Sequence, residues 1–314
     1  MAIGLFTPTW DPALWLAAFR REIPEMEIRA WPETGPAEDI HYAVAWLPKP
    51  GSLQGLPELR VIFSLGAGVD AILRDDTLPK QIPIVRAVEP DLTHRMSEYV
   101  VMQVLMHHRQ QWRIEENQRN RTWDSFASPA ASDFRVGIMG LGVLGQDAAR
   151  KLGLMGYQVS GWSQTRKAVD GVQSFAGVGE LDGFLAQTDI LVVLLPHTQQ
   201  THGILNRALF RKLSRSGPFG APVLINAGRG KLQSEADILA SLAAGELHGA
   251  SLDVFETEPL DGASALWNHP RVHVSPHSAA DSDPAHITRY ICQQIRRCEA
   301  GHALANVVDR ARGY

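Results

Sequence analysis

Short runs of apolar residues recur along the chain and alternate with longer stretches of mixed polarity. In the first hundred residues, Ala2 to Phe6, Tyr42 to Trp46, Arg60 to Ser64 and Ile84 to Ala87 read as strands, with Ala13 to Arg20 as helix. Strands separated in this way predict a small α/β unit built on a parallel sheet. Met96 to about Gln118 has few breakers, apolar at first (Val100, Val101, Val104, Leu105) and more polar later. It reads as one long helical segment, either linking two units and facing a partner subunit or serving as an amphipathic core helix. Arg119 to Asp133 lacks periodicity and reads as a loop. Strands follow at Val136 to Met139 and Tyr157 to Trp162 around a helix over Gln146 to Met155. Further strands are expected at Ile190 to Leu195, Pro222 to Asn226, Gly249 to Val254 and Val272 to Ser275. Helices are expected at Ser234 to Ala244, with Ser234 as N-cap and Asp237 three residues on, and at Asp283 to Gly301.

The totals narrow the field. A chain of 314 residues is long enough for two domains with separate cores. Its 45% hydrophobic and 20% charged residues suit a water-soluble globular protein. A net charge of -4 provides no basic field for nucleic acid, and no apolar run approaches bilayer-spanning length. The N-terminus lacks the basic start and apolar stretch of a secretion signal, so a cytoplasmic location is expected. Cys292 and Cys298 are the only cysteines, and six residues apart they fit neither a redox pair nor a zinc site. His107 and His108 are adjacent on their helix and point to different sides, a poor metal pair. No metal is expected.

The most specific signal is Val136-Gly-Ile-Met-Gly140-Leu-Gly142-Val-Leu-Gly145, a strand running into glycines at G-x-G-x-x-G spacing and then a helix. Gly140 permits the tight bend, Gly142 lets backbone approach a pyrophosphate, and Gly145 lets helix and strand pack closely. Phosphates then meet the free N–H groups of the helix start. A bare glycine turn is the bland alternative; the strands and helix in register around it favour a bound dinucleotide. The following strand ends Trp162-Ser163-Gln164-Thr165-Arg166-Lys167 with no carboxylate for the ribose hydroxyls. Two cations there favour a 2′-phosphate, hence NADP(H) over NAD(H), although solvated loop charges would look the same. A second strand-to-glycine turn, Ile62-Phe-Ser-Leu-Gly66-Ala67-Gly68-Val-Asp70, is either an anion-binding set of amides or a plain βα loop.

Three polar residues follow strand ends late in the chain: Arg229 in Asn226-Ala-Gly-Arg-Gly230, Glu258 before Pro259, and His277 in Ser275-Pro-His-Ser-Ala-Ala280. Ligands of open parallel sheets gather at the carboxyl ends of strands, so the three are placed to converge. Each alone has an ordinary reading, as a surface charge, a turn residue and a core histidine.

Together with Ser64 to Asp70, the glycine turn, Gly171 to Gly177, Leu252-Asp-Val-Phe255 and Val308 to Tyr314, these segments resemble the D-isomer-specific 2-hydroxyacid dehydrogenases. Within that family they are most similar to the glyoxylate/hydroxypyruvate reductase branch. The resemblance covers nearly the whole chain. It implies two Rossmann-like domains with parallel sheets: a flavodoxin-like substrate domain over 1–98 plus 285–314, and an NAD(P)-binding domain over 99–284. It also implies a homodimer, a cleft that closes between domains, and hydride transfer to small 2-oxo acids such as glyoxylate and hydroxypyruvate.

By the same resemblance, Arg229 would hold the oxo acid and His277 would donate a proton to the ketone oxygen. Glu258 would set the imidazole tautomer and raise its pKa. Ala67 and Gly68 would offer N–H groups to the substrate carboxylate, and Asp253 would accept from the nicotinamide carboxamide. Val143 and Leu144 would lie against the pyrophosphate, while Pro196 and Ala227 would line the cofactor slot. Ser163, Arg166 and Lys167 would meet the 2′-phosphate. Apart from the resemblance, Trp46 and the loops near it are expected to close a small substrate pocket. Two features depart from the pattern: Gln164 stands where a further cation is expected, and Asp281-Ser282-Asp283 is acidic for the surroundings of anions. A bulkier 2-oxo acid, or a nicotinamide-sensing binding protein on the same fold, are the other readings.

Overall fold

A computed structural model describes all 314 residues. The strands are β1 (Ala2–Phe6), β2 (Glu27–Ala30), β3 (Ile40–Ala45), β4 (Val61–Ser64), β5 (Ile84–Val85), β6 (Arg135–Met139), β7 (Gln158–Ser163), β8 (Gln173–Ala176), β9 (Ile190–Val193), β10 (Val223–Asn226), β11 (Gly249–Leu252) and β12 (Val272–Val274). The helices are α1 (Ala13–Glu22), α2 (Asp70–Leu73), α3 (Pro90–His108), α4 (Gln111–Arg119), α5 (Val143–Leu154), α6 (Gly177–Ala186), α7 (Arg207–Phe210), α8 (Glu235–Ala243) and α9 (Pro284–Glu299). The chain divides into two compact units, Met1–Leu92 with Asp281–Tyr314, and Thr93–Ala280. No helix is long and apolar enough to cross a membrane. No group of three or more His, Cys, Asp or Glu side chains is placed to hold a metal ion.

Every strand pairing is parallel. The first unit has the sheet order β2-β1-β3-β4-β5, the doubly wound flavodoxin-like order. Helix α9 buries Ile287, Ile291 and Ile295, spaced four apart on one stripe, and packs against α1. Asp283, part of the acidic run before α9, is its N-cap and accepts from the Ala285 and His286 N–H groups. Ser282 Oγ donates to Leu65 O at 2.7 Å. The acidity noted in the sequence is therefore partly capping chemistry. Burial pushes the Cys292 thiol on α9 up to about 12, and both cysteines are free.

The second unit orders its strands β12-β11-β10-β9-β6-β7-β8. Strand β6 pairs with β7 on one side and β9 on the other, so the winding reverses at β6. Residues of its central strands alternate between two cores. Val136, Ile138, Ile190, Val192, Val223 and Ile225 pack with Val100, Val104, Ala148 and Leu152 on one face. Met139, Leu191, Val193 and Leu224 pack with Phe184, Phe210 and Ile238 on the other. Burial on both faces is why these strands read as unbroken apolar runs.

Several elements depart from the pattern read in the sequence. The segment from Met96 to Gln118 is two helices, broken where Gln110 adopts a left-handed φ of 51°. Two buried histidines pin the end of α3 from different sides. His107 Nε2 meets Ser251 Oγ at 2.8 Å, while His108 meets Tyr157 Oη at 2.6 Å and Pro129 O at 2.8 Å. The strands β2 and β8 lie at sheet edges, where Glu27, Arg29 and Gln173 interrupt the apolar pattern. Ser234 does accept from Asp237 N–H, but the Asp237 carboxylate accepts from Arg207 N–H, so the capping box is half made.

His107 carries a pH consequence. Because Ser251 Oγ donates to Gln103 Oε1, it accepts from the His107 Nε2–H. Burial, reinforced by the charges of His273 and His248, pushes this imidazole down to about 3. The unfolded chain binds a proton here below pH ~6.5 and the folded chain does not until far lower, so stability falls as pH drops between those values. The expected slope from this one group is about 1.4 kcal/mol per pH unit. Urea unfolding of wild type and His107→Asn between pH 7 and pH 4.5 should show a flatter dependence in the variant. Identical slopes would refute it.

Candidate active site

The glycine turn lies where the sheet of the second unit reverses, beyond the carboxyl end of β6. Gly140 has φ +111°, and a Cβ there would stand 2.8 Å from Leu194 O, so no other residue fits. A Cβ on Gly145 would lie 2.0 Å from Gly140 O, which fixes the close contact of α5 with the turn. Gly142 is different: its φ is -75°, and a Cβ there would meet nothing within 4 Å. Neither conformation nor packing requires glycine at that position. The open space beside it, at the N-terminus of a twelve-residue helix, fits an incoming phosphate. Val143 and Leu144 form the first turn of α5, with Val143 45% exposed. Ala227, at the end of β10, is buried and Pro196, beyond β9, half-buried.

At the end of β7, Ser163 is buried and its hydroxyl donates to Thr165 O at 2.8 Å. Arg166 is exposed and reaches Ser174 O and the Glu180 carboxylate. An exposed pair of this kind contributes at most about 1 kcal/mol, so the guanidinium can turn to a better anion at little cost. Lys167 is half-buried and its N–H donates to Ser174 Oγ at 3.2 Å. Gln164 is exposed. These residues fit a 2′-phosphate in charge: Arg166 and Lys167 are both cations, and the Arg166 guanidinium is held only by Ser174 O and an exposed pair with Glu180.

The three candidate catalytic residues sit on the loops after β10, β11 and β12. His277 Nδ1 and Glu258 Oε2 are 2.7 Å apart, and Glu258 Oε1 accepts from Phe255 N–H at 3.0 Å. Burial pushes the Glu258 carboxyl up, but the bonds from His277 and Phe255 and the charges of His277 and Arg229 outweigh it and hold it below the usual value. An ionised Glu258 assigns the Nδ1 proton and leaves Nε2 as the nitrogen that can give or take one. His277 has a left-handed φ of 54°, held by its N–H donating to Asp253 O at 2.8 Å. Non-glycine residues adopt that region at a cost of order 1–3 kcal/mol, a strain typical of functional positions.

Arg229 is half-buried, and its Nη1 donates to Gly228 O at 2.7 Å. The flanking glycines are compelled by packing. A Cβ on Gly230 would be 1.7 Å from Phe255 O, and one on Gly228 would be 2.8 Å from Leu195 O. Asn226 Nδ2 donates to Arg229 O and to Gln233 Oε1, and Gln233 Nε2 donates to Val254 O. Asp253 is buried and accepts from Ser275 Oγ at 2.6 Å and from the Ser278 and Ala279 N–H groups at 3.0 Å. With Ser275 donating to Asp253, Tyr99 Oη donates to Ser275 Oγ at 2.9 Å. The loops carrying Arg229, Glu258 and His277 are thus one hydrogen-bonded block.

Tyr99, Gln233 and Ser275 did not stand out in the sequence. Only Ser275 had a local signal, its place before Pro276-His277; the others act through partners distant along the chain.

In the first unit, Ser64 Oγ donates to Gly68 O at 3.0 Å and accepts from Gly66 N–H at 3.3 Å, which closes the turn after β4. Ala67 and Gly68 lie in that turn and are half-buried. Trp46, at the end of β3, lays its ring on Gly66, where a Cβ would come within 2.5 Å of Cζ3.

The family model for the NAD-binding domain of D-isomer-specific 2-hydroxyacid dehydrogenases matches residues 101–279. An NADPH-dependent glyoxylate/hydroxypyruvate reductase from Sinorhizobium meliloti, solved with NADP and sulfate, is 47% identical, with 100% of this chain and 99% of that one aligned at a TM-score of 0.94. A probable 2-hydroxyacid dehydrogenase from Rhizobium etli, solved with NADP, HEPES and tartaric acid, is 46% identical over 100% and 99% of the chains at 0.94. A D-isomer-specific 2-hydroxyacid dehydrogenase from Xanthobacter autotrophicus, solved with NADPH and MES, is 37% identical over 100% and 99%, also at 0.94. This chain belongs to the D-isomer-specific 2-hydroxyacid dehydrogenase family.

Proposed function

We propose that this enzyme reduces small 2-oxo acids with NADPH, converting glyoxylate to glycolate and hydroxypyruvate to D-glycerate. The observation that carries the reading is the 2.7 Å contact between His277 Nδ1 and Glu258, in the same hydrogen-bonded block as Arg229. The second unit serves as the dinucleotide-binding domain and the first as the substrate domain. When bound, the reduced nicotinamide supplies a hydride to the carbonyl carbon. Arg229 engages the oxo acid through its planar fork and fixes the carbonyl. His277 Nε2 gives the carbonyl oxygen its proton, and Glu258 holds the resulting imidazole in one tautomer. The Ala67 and Gly68 amides take the substrate carboxylate. Asp253 has three of its roughly four acceptor positions filled from its own unit, leaving one for a carboxamide N–H. The enzyme works as a cytoplasmic homodimer.

The similarity to NADP-bound relatives at 46–47% identity supports the choice of cofactor. A panel of 2-oxo acids, assayed with NADPH and with NADH by loss of reduced-nicotinamide absorbance, tests the reading. Glyoxylate and hydroxypyruvate should give the largest kcat/KM, with NADPH preferred and NADH a weaker donor. A branched or aromatic oxo acid ahead of both would point to a bulkier substrate, and no turnover at all would refute the proposal.

Neutralising Arg166 and Lys167 together, as Arg166→Gln with Lys167→Gln, should raise KM for NADPH by about one to two orders of magnitude, one charge-assisted contact being worth about 1.5–3 kcal/mol. KM for NADH should change little. Equal losses for both cofactors would exclude these side chains from the 2′-phosphate.

A further inference from the structure

We propose that Trp10 is a positioning residue that sets the size of substrate accepted, by holding the indole of Trp46 fixed over the anion-binding turn. The inference rests on the proposed reduction of 2-oxo acids and adds a determinant of which ones.

Three tryptophans stack in series in the first unit. Trp15, on α1, is buried at 4% exposure. Trp10 stacks on it at 5.7 Å between ring centroids and 11° between planes. Trp46 stacks on Trp10 in turn, 5.2 Å between centroids at 25°. Trp10 lies just beyond β1, in a turn where its N–H donates to Thr7 O at 3.2 Å. Trp46 lies just beyond β3 and Gly66 just beyond β4, and β1, β3 and β4 are neighbours in the sheet. All three therefore stand at one sheet edge.

The last ring of the series touches the turn itself. Trp46 covers Gly66 so closely that any side chain at 66 would displace it, and Ala67 and Gly68 follow directly. The next residue after Trp46, Leu47, has a left-handed φ of 45°, so the backbone turns sharply where the indole is placed. A half-buried indole without a stacking partner can change rotamer; one held face to face against an anchored ring cannot do so without losing that contact. The space above the two amides is thus bounded by a fixed wall. A short oxo acid leaves that wall in place, whereas a branched or aromatic one must move it.

The test compares Trp10→Ala, Trp10→Leu and Trp10→Phe with wild type, using glyoxylate and 2-oxoisocaproate with saturating NADPH. In Trp10→Ala, KM for glyoxylate should rise about tenfold with kcat within about twofold, a change equal to about 1.4 kcal/mol of binding. The ratio of kcat/KM for 2-oxoisocaproate over glyoxylate should rise by at least as much. Trp10→Phe, which keeps a stacking face, should restore both values toward wild type. A purely structural role would instead lower kcat for both acids in proportion to the folded fraction, leaving KM and the ratio unchanged, and that outcome overturns the proposal. Should Trp10→Ala not fold, Trp10→Leu, which keeps apolar bulk without a ring, is judged by the same ratio. If wild type reduces no 2-oxo acid, the functional reading falls and this inference with it. If wild type is active and the ratio stays fixed, only this inference falls.

Discussion

Glutamine in place of His277 is expected to lower kcat by about two to four orders of magnitude, the usual contribution of a positioned general acid. NADPH binding, followed by quenching of tryptophan fluorescence, should persist. The substitution is chosen to isolate the proton. Glutamine can still donate to Glu258 from its amide, and the left-handed backbone at 277 is held by the Asp253 carbonyl rather than by the imidazole. What it lacks is a group that can give up a proton where Nε2 stands. Wild-type turnover in this variant would remove His277 from the chemistry. Loss of NADPH binding would mean that the substitution had disturbed the block instead.

Arg229→Ala should lower kcat/KM for glyoxylate by about two to four orders of magnitude, with KM raised and kcat reduced together. Two effects combine. A charge-assisted contact to the oxo acid, worth about 1.5–3 kcal/mol, is removed. The carbonyl then loses its fixed orientation, and a misplacement near 1 Å can itself cost about a hundredfold. Arg229→Lys should fall between alanine and wild type, because an ammonium restores charge without the planar fork. Steady-state kinetics on the three proteins is the measurement. An unchanged kcat/KM in the alanine variant would take Arg229 out of the site, and lysine equal to arginine would show that charge alone matters.

Much of the fold was legible because its central strands are covered on both faces. Ile190–Val193 and Val223–Asn226 have no solvent side, so every position is apolar or tightly partnered, and the run is visible without an alignment. Edge strands are covered on fewer sides, which is why Glu27–Ala30 and Gln173–Ala176 escaped notice. Helix α6 was hidden by three glycines among its ten residues; Phe184 and Leu185 are its buried anchors. The break at Gln110 was hidden because no glycine or proline marks it, and the histidines just before it are bonded to partners distant along the chain.

The site divides in the same way. The glycine turn could be read from spacing, since Gly140 and Gly145 answer local demands of backbone conformation and close packing. The contact of His277 with Glu258 could be anticipated only by resemblance, because the two lie nineteen residues apart on separate loops. The bonds filling most of Asp253 were not visible at all. Nothing in Leu252-Asp-Val-Phe255 indicates that this carboxylate would gather the loop bearing His277.

The lacing of the loops after β10, β11 and β12 has a consequence for descent. His277, Glu258 and Arg229 stand on loops tied to one another by buried amides, backbone carbonyls and glycines that tolerate no side chain. The tryptophan series lies in the first unit, on α1 and just beyond β1 and β3, and shares none of those bonds. Substitutions among the indoles can therefore accumulate without breaking any bond that holds the loops of Arg229, Glu258 and His277 together.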